Sequence, residues 1–467
     1  MSGALVWVAP ETFEQTVLEA CSRAVPLGAY ASREGSHYLF LERTGAFALS
    51  QRFGEVPIAP SLAATFPLFA WDEREMQDEW GVRVENLPDD RPFFAHDGVL
   101  PAAILASGTG VMHAVVGPVH AGIIEPGRFT FSTGGETVIH LDAQLGYAHR
   151  GVERRLAGMP VIDAAPSIAR ICAGCSASRS YAYALALEAL AGIEIERGAD
   201  LARLVVAELE RIYNHLADLA ASAAGAGSGP GFARGMALKE RAMRLCRLAT
   251  GHRLLFDAIV PGGVSATTLR EPQPVYSELA ALESAVESYL EKLFANVSLV
   301  ARWRQAGVVG HDTVRAFGAV GPAHRASKGQ LDLRAFTPYG AYRSIPTRVA
   351  AASSGDAFAR CRVKRDEIRE SFRLIGEALS QWEPPAPSAP GAVAIPAGFA
   401  LGVTEGPRGT EAVAVHVGRD GCIERFHAIS ASYRNWPIVV RAMEGNIVPD
   451  FPLVNKSFNL CYACVDR

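Results

Sequence analysis

The sequence predicts an α+β protein: a small N-terminal α/β domain over residues 1–100, then a mainly helical domain over residues 101–467 with peripheral strands. Three observations predict it. Alternating apolar and polar stretches near the start read as short strands. Residues 178–222 are rich in Ala, Leu and Glu, which is helix composition. The last 70 or so residues mix strand patterns with one short helical one.

In chain order, His37–Glu42 and Thr44–Leu49 alternate as strands. The acidic stretch Trp71–Trp80 reads as a short amphipathic helix stopped by Gly81. The turn-rich Leu87–Pro92 marks the domain edge. Residues 100–160 are Gly-rich with short strand-like runs. Helical patterns then cover 178–222, 235–258, 274–306 and 356–382, with long apolar faces that imply a buried helical core. Glu383–Pro390 is too Pro-rich for helix and reads as a surface connection. Strands follow near 398–403, 411–417 and 422–428, then a helix near 434–444. There is no internal repeat.

Composition narrows the function. Of 467 residues, 49% are hydrophobic and 20% charged, the balance of a folded globular chain. A net charge of −4 argues against nucleic acid as the main partner. No long uncharged apolar run predicts a membrane span, and the first residues lack the pattern of a secretory signal. Eight cysteines are too few for a disulfide scaffold, so a reducing compartment is expected and clustered cysteines become metal or redox candidates.

Two clusters exist. Cys172-Ala173-Gly174-Cys175 and Cys461-Tyr462-Ala463-Cys464 each place two thiols where both reach one ion. Thiolates select zinc, nickel or iron. About 285 residues separate the pairs, far more than the roughly 12–20 of local zinc motifs. The spacing suggests a centre buried in the domain core, and leaves zinc and nickel equally open. Cys21, Cys246, Cys361 and Cys422 are isolated and read as small apolar residues.

The flanking residues carry a resemblance. They are Gly117–Phe129 (GPVHAGIIEPGRF), Leu145–Glu153 (LGYAHRGVE), Arg170–Cys175, Glu210–His215, Arg325–Ser327, Asp332–Arg334, Pro338-Tyr339, Gly355-Asp356, Gly406–Gly409 and Cys461–Arg467. In this order they resemble the large subunit of membrane-bound group 4 NiFe-hydrogenases of the hydrogenase-4 and formate hydrogenlyase type. That family shares ancestry with the 49 kDa subunit of respiratory complex I. The first 100 residues resemble the complex I 30 kDa subunit, fused to the large subunit in this type. The complex I branch has lost the four cysteines that this chain keeps. It also carries a second histidine where this chain has Ile124, which cannot hydrogen-bond a quinone.

The resemblance implies roles. Cys172 and Cys461 would be terminal nickel ligands, and Cys175 and Cys464 would bridge nickel to an iron carrying CO and cyanide. Glu153 would relay protons towards solvent. Arg408 would sit over the diatomic ligands as a cationic donor. Arg179, His120, His149 and Arg150 would surround the centre. Read without the family, Glu153 is a paired helix acid, Arg408 a turn residue, His120, His149 and Arg150 packing or interface groups, and Asp332 with Arg334 a structural ion pair. Magnesium is conceivable in such a subunit, but nothing in the sequence supports it. No iron–sulfur cluster is expected in this chain. The implied partners are a small subunit carrying a 4Fe–4S cluster, further iron–sulfur subunits, antiporter-like membrane subunits and maturation proteins. The implied location is cytoplasmic, peripheral on the inner membrane.

The chain departs from the family pattern at four points. Ala173 replaces a glycine, where a methyl would crowd the turn. Arg179 replaces a histidine that donates towards a bridging sulfur. Ala169 replaces a glutamate, and Asn459-Leu460 replaces Asp-Pro. The chain stops at Arg467, where many large subunits are trimmed during maturation. Three readings follow: a hydrogenase large subunit, a complex I-like electron-transfer subunit with a degenerate metal site, or a scaffold holding structural zinc.

Overall fold

The structure, a computed structural model, describes residues 3–94, 101–120, 122, 124–385 and 394–467. Strands β1 (Ala4–Trp7), β2 (Val25–Ala31), β3 (Gly35–Glu42) and β4 (Gly45–Arg52) form a sheet in the order β1-β4-β3-β2. Only the β1–β4 pairing is parallel. Helix α1 (Pro10–Arg23) buries Phe13, Val17 and Ala20, spaced at helical period, into one cluster with Tyr38, Phe40 and Leu49. A parallel pair, β5 (Ile58–Pro60) with β6 (Arg83–Glu85), brackets α2 (Ala70–Trp80). As expected, α2 stops at Gly81, whose φ of 62° favours glycine. Its acids are not solvated, however: Asp72, Glu73 and Glu75 are all buried.

Next comes an antiparallel meander, β7 (Val111–Val116), β8 (Arg128–Gly134) and β9 (Thr137–Gln144), where the sequence shows short strand-like runs. Two short helices follow, α3 (Val152–Leu156) and α4 (Ala165–Ala169). The helical composition over 178–222 resolves into two helices, α5 (Ser176–Ala191) and α6 (Arg197–Gly225). Gly192, at φ 66°, splits them. Helix α7 (Gly229–Thr250) ends at Gly251, short of residue 258, and the next residues turn through β10 (Ile259–Val260) and β11 (Gly263–Val264). The pattern over 274–306 is likewise two helices, α8 (Pro272–Ala295) and α9 (Val297–Trp303). Asn296 breaks them and caps α9 by accepting from the Leu299 N–H.

Short helices α10 (His311–Ala316), α11 (Gly321–Arg325) and α12 (Leu333–Phe336) lead to α13 (Ala357–Ser380), capped by Asp356. Of the Pro-rich connection, residues 386–390 lie outside the described residues. Strands β12 (Gly398–Gly406), β13 (Gly409–Val417) and β14 (Ile423–Ile429) form a second meander close to their expected positions. It lies deep: only His416 in β13 is not fully buried, and Gly402 has no room for a Cβ beside the Ala182 carbonyl. Helices α14 (Ala431–Met443) and α15 (Phe451–Phe458) complete the chain, and α15 has no counterpart in the sequence reading.

Helix α6 runs through the centre. Leu209, Ile212, Leu216 and Leu219 are fully buried, each stabilising the fold by about 1.5–3 kcal/mol. The same helix buries Glu208, Glu210, Arg211, Asn214, His215 and Asp218. Such groups persist inside only when paired. Arg334 bonds Asp332 at 2.7 Å and Glu208 at 3.0 Å, and Arg325 bonds Glu367 and Glu405 at 2.7 Å each. Asp332 and Arg334 are thus an ion pair within a larger buried network. No helix among the described residues is long and apolar enough to cross a membrane.

Candidate metal centre

The two ends of the large unit meet at the cysteines. Cys172 and Cys175 occupy the turn before α5, and Cys461 and Cys464 follow α15. The sulfurs of Cys175 and Cys464 lie 3.4 Å apart. Those of Cys172, Cys461 and Cys464 lie within 4.8 Å of one another. Three of the four are buried and Cys461 is half-buried. Cys246 and Cys361 are buried elsewhere, and Cys21 and Cys422 are half-buried.

One face of α6 shapes the first turn. Glu210 accepts from the N–H groups of Ala177 (2.6 Å) and Ser178 (3.0 Å), capping α5 just after Cys175. Tyr213 donates to the Ala173 carbonyl at 2.9 Å and Asn214 to the Gly174 carbonyl at 2.9 Å. Their spacing, i, i+3 and i+4, puts all three on one side of the helix. Ala173 is exposed, so its methyl does not crowd the turn. It is Gly174 that faces inward, where a Cβ would approach Cys461 Sγ and the Arg408 guanidinium at 3.3 Å each.

Two arginines join the turns. Arg150 donates through Nη2 to the carbonyls of Ile171 (2.6 Å) and Ala463 (2.8 Å), the residues just before Cys172 and Cys464. Arg408 donates to Asn214 (2.8 Å), Asp218 (3.1 Å) and the Asn459 carbonyl (2.5 Å). Asn459 returns a bond to Asp218 at 2.6 Å, and Lys364 pairs with the same carboxylate at 2.8 Å. Against the upward push of burial, Lys364 and Arg408 hold Asp218 well below the usual carboxylate range.

Arg179 lies in the cluster itself, 1% exposed. Its Nη2 donates to Glu411 at 2.8 Å and to Cys464 Sγ at 3.5 Å. Its Nε and Nη1 have no hydrogen-bond partner among the described residues. Burial pushes Glu411 up to about 8, Arg179 opposing it. Hydrogen bonds from Cys172, Cys175 and Cys461 favour the Cys464 thiolate, and Arg179 adds to this, while hydrogen bonds among the thiols and burial push the other three up.

The remaining expected site residues lie in other settings. Glu153 accepts from Arg467 (2.7 Å), Arg425 (2.8 Å), the Ala428 N–H (2.9 Å) and His427 (3.1 Å). Against burial, His427, Arg467 and Arg425 hold it well below the usual carboxylate range. A carboxylate so bound stays ionised and has no free oxygen to carry a proton, so its contacts favour the paired acid over the relay. His149 pairs with Glu79 at 3.0 Å and packs on Phe94. His120 donates to the Gly127 carbonyl at 2.8 Å, steadying its own loop. Sequence reasoning missed Glu411, Asp218 and Glu75. Glu210, Tyr213 and Asn214 lie in one of the motifs, and their helical spacing is the signal that groups them.

Four soft donors at these separations suit nickel, iron or zinc. The two unused guanidinium donors of Arg179 add a cationic edge that suits a centre bearing acceptor groups. The residues present therefore fit the implied metal group.

Comparison with known proteins agrees with the architecture. The family described as Respiratory-chain NADH dehydrogenase, 49 Kd subunit, matches residues 226–391, and that of the 30 Kd subunit matches residues 31–103. Formate hydrogenlyase subunit 5 of Escherichia coli is 28% identical over 88% of this chain and 77% of its own length. Hydrogenase-4 component G of the same organism is 28% identical over 87% of this chain and 76% of its own. A chain from the structure of an archaeal membrane-bound sulfane sulfur reductase superposes with a TM-score of 0.71 at 23% identity, covering 77% of this chain and 99% of that one, which shows the shared fold.

Proposed function

We propose, for a chain that fuses a complex I 30 kDa-like unit to a 49 kDa-like unit and is related to membrane-bound hydrogenase subunits, that it is the catalytic large subunit of such a hydrogenase. It interconverts dihydrogen with protons and electrons. The observation that carries this reading is the convergence of four thiols from two distant segments, with Arg179 and Arg408 beside them.

Cys172, Cys175, Cys461 and Cys464 would hold a nickel–iron pair, which when bound would supply the Lewis-acid and redox chemistry of dihydrogen conversion. The chain's own residues do the rest. Arg408, tied to Asn214, Asp218 and Asn459, presents a fixed positive edge to the centre. Arg179 donates to Cys464 and keeps two donors for acceptor groups on the metals. Glu210, Tyr213 and Asn214 lock one cysteine turn, and Arg150 holds the second against it. Glu153 keeps the Arg467 end of the chain in place. Electrons leave through a small subunit carrying a 4Fe–4S cluster, and membrane subunits hold the assembly on the cytoplasmic face. Residues 1–100 form one functional unit and 101–467 the other.

A second reading has an observation of its own. Arg179 stands where the hydrogenase pattern has histidine, and Glu411 pairs with it. A complex I-like subunit with an inactive metal site accommodates that change. Metal analysis of the chain purified with its partners and maturation system separates the readings. About one nickel per chain with matching iron, together with hydrogen uptake or evolution, supports the hydrogenase. Zinc with no hydrogen turnover points to a scaffold, and absence of metal to the complex I-like subunit.

A further inference from the structure

The acids of α2 at i, i+3 and i+7 point across the boundary between the two units. Asp72 bonds Arg434 through both carboxylate oxygens, Glu75 bonds Arg467 at 2.7 Å through both of its own, and Glu79 meets His149 at 3.0 Å and Arg154 at 3.1 Å. Arg467 is 2% exposed, and its Nε bonds Glu153 at 2.7 Å. Tyr433 closes the arrangement from α14, donating to Glu75 at 3.1 Å and stacking under the Arg467 guanidinium.

Arg467 is three residues from Cys464, and the backbone between them is a turn in which Val465 and Asp466 donate to the Tyr462 carbonyl. Arg150 holds the Ala463 and Asp466 carbonyls. The Arg467 side chain itself is gripped by Glu153 in the large unit and Glu75 in the small one. From these contacts we propose that Glu75 is a positioning residue for the metal centre. The fused N-terminal unit clasps Arg467 and so seats Cys461 and Cys464 opposite Cys172 and Cys175. One guanidinium spans both acids, with Nη2 on the two Glu75 oxygens and Nε on Glu153, and a lysine or a shorter acid would supply charge without the same reach. The clasp lines a cavity of about 270 Å³ with Arg33, Glu79 and Arg425, so solvent reaches its edge.

The proposal rests on the four-cysteine reading for its consequence, but not for its test. In the full chain, Glu75→Gln is expected to raise amide exchange over residues 459–467 and the alkylation rate of Cys461 and Cys464 by about tenfold, with exchange in α6 unchanged. Glu75→Asp should recover part of both. Cobalt(II) added to the reduced, metal-free chain is a second readout. The thiolate-to-cobalt absorption should form in the parent chain and weaken in Glu75→Gln. If α6 also loses protection, Arg467→Lys replaces that variant. It keeps the charge and should loosen residues 459–467 alone. Parent-like exchange and alkylation in Glu75→Gln, or in Arg467→Lys where that is used, overturns the clasp. A parent chain that gives no cobalt–thiolate absorption, yet whose tail loosens in Glu75→Gln, keeps the clasp and overturns the four-cysteine centre.

Discussion

Glu411 and Arg179 meet at 2.8 Å beside Cys464, although 232 residues separate them. The pair is nearly dry, with side chains 4% and 1% exposed. Each group therefore depends on the other for compensation of its charge.

Removing only the arginine tests that dependence. Arg179→Met is expected to lower the stability of the metal-free protein by about 3–5 kcal/mol at about pH 9, where Glu411 is ionised in the parent. Arg179→Met with Glu411→Leu should cost less, because no polar group is left orphaned. Glu411 already sits near 8 through burial, and losing Arg179 raises it further. The folded variant then keeps a proton that the unfolded chain releases, so its stability falls as pH rises above the ordinary glutamate range. Denaturation at about pH 6 and about pH 9 should show the larger loss at the higher pH. Equal losses in the single and double variants would mean that the ion pair is not what the site depends on.

Ala173→Gly restores the residue of the family pattern and should change little at the centre. The methyl points to solvent, and the turn is held by Tyr213 and Asn214 through backbone carbonyls. Glycine adds freedom to the unfolded chain, so a loss of about 0.4–1 kcal/mol is expected with metal content unchanged. A clear gain of nickel in the glycine variant would show that the methyl does obstruct the site.

How much of this was legible beforehand follows from range. The paired cysteines are a local code, whereas the stops at Gly192 and Gly251 were masked by the helical composition around them. Glu210, Tyr213 and Asn214 were readable in principle, because one helix face needs only its own period. Glu411 and Glu75 were not. Which carboxylate meets Arg179 or Arg467 is decided by how β13 and α2 pack, across separations of 232 and 392 residues. The burial of the α2 acids is not legible in the sequence, because composition does not say where their cations come from. Arg434, Arg467 and His149 arrive from the other unit.

Asp218→Asn should weaken both the fold and the cysteine loops. It leaves Lys364 and Arg408 without their carboxylate and loosens Asn459, two residues before Cys461. A loss of about 3–5 kcal/mol is expected near neutrality. Asp218 is held far below the ordinary value, so its contribution is present above about pH 4 and is lost as pH falls further. The gap between parent and variant should therefore close in acid. Denaturation across pH, with nickel per chain as the companion measurement, checks this. A gap that stays constant in acid would mean that the pairings with Lys364 and Arg408 contribute little.

His416 gives a pH test of the contact between the units. Its Nε2 shares a 2.7 Å hydrogen bond with the Tyr30 hydroxyl, and Tyr30 stacks on His37 and His427. Burial lowers His416 to about 4, with Arg425 adding to the effect. Between its ordinary value of about 6.5 and that level, the unfolded chain binds a proton that the folded chain refuses. The folded state thus loses stability on acidification over this window. His416→Phe keeps ring packing and removes both the hydrogen bond and the titration. It should be less stable than the parent by about 1 kcal/mol at about pH 8. By about pH 5 the difference should vanish or reverse, because only the parent carries the cost of a neutral histidine. Denaturation at the two pH values decides it. A gap that widens in acid would mean that His416 is charged in the folded protein. Its bond to Tyr30 would then join the units through a cation.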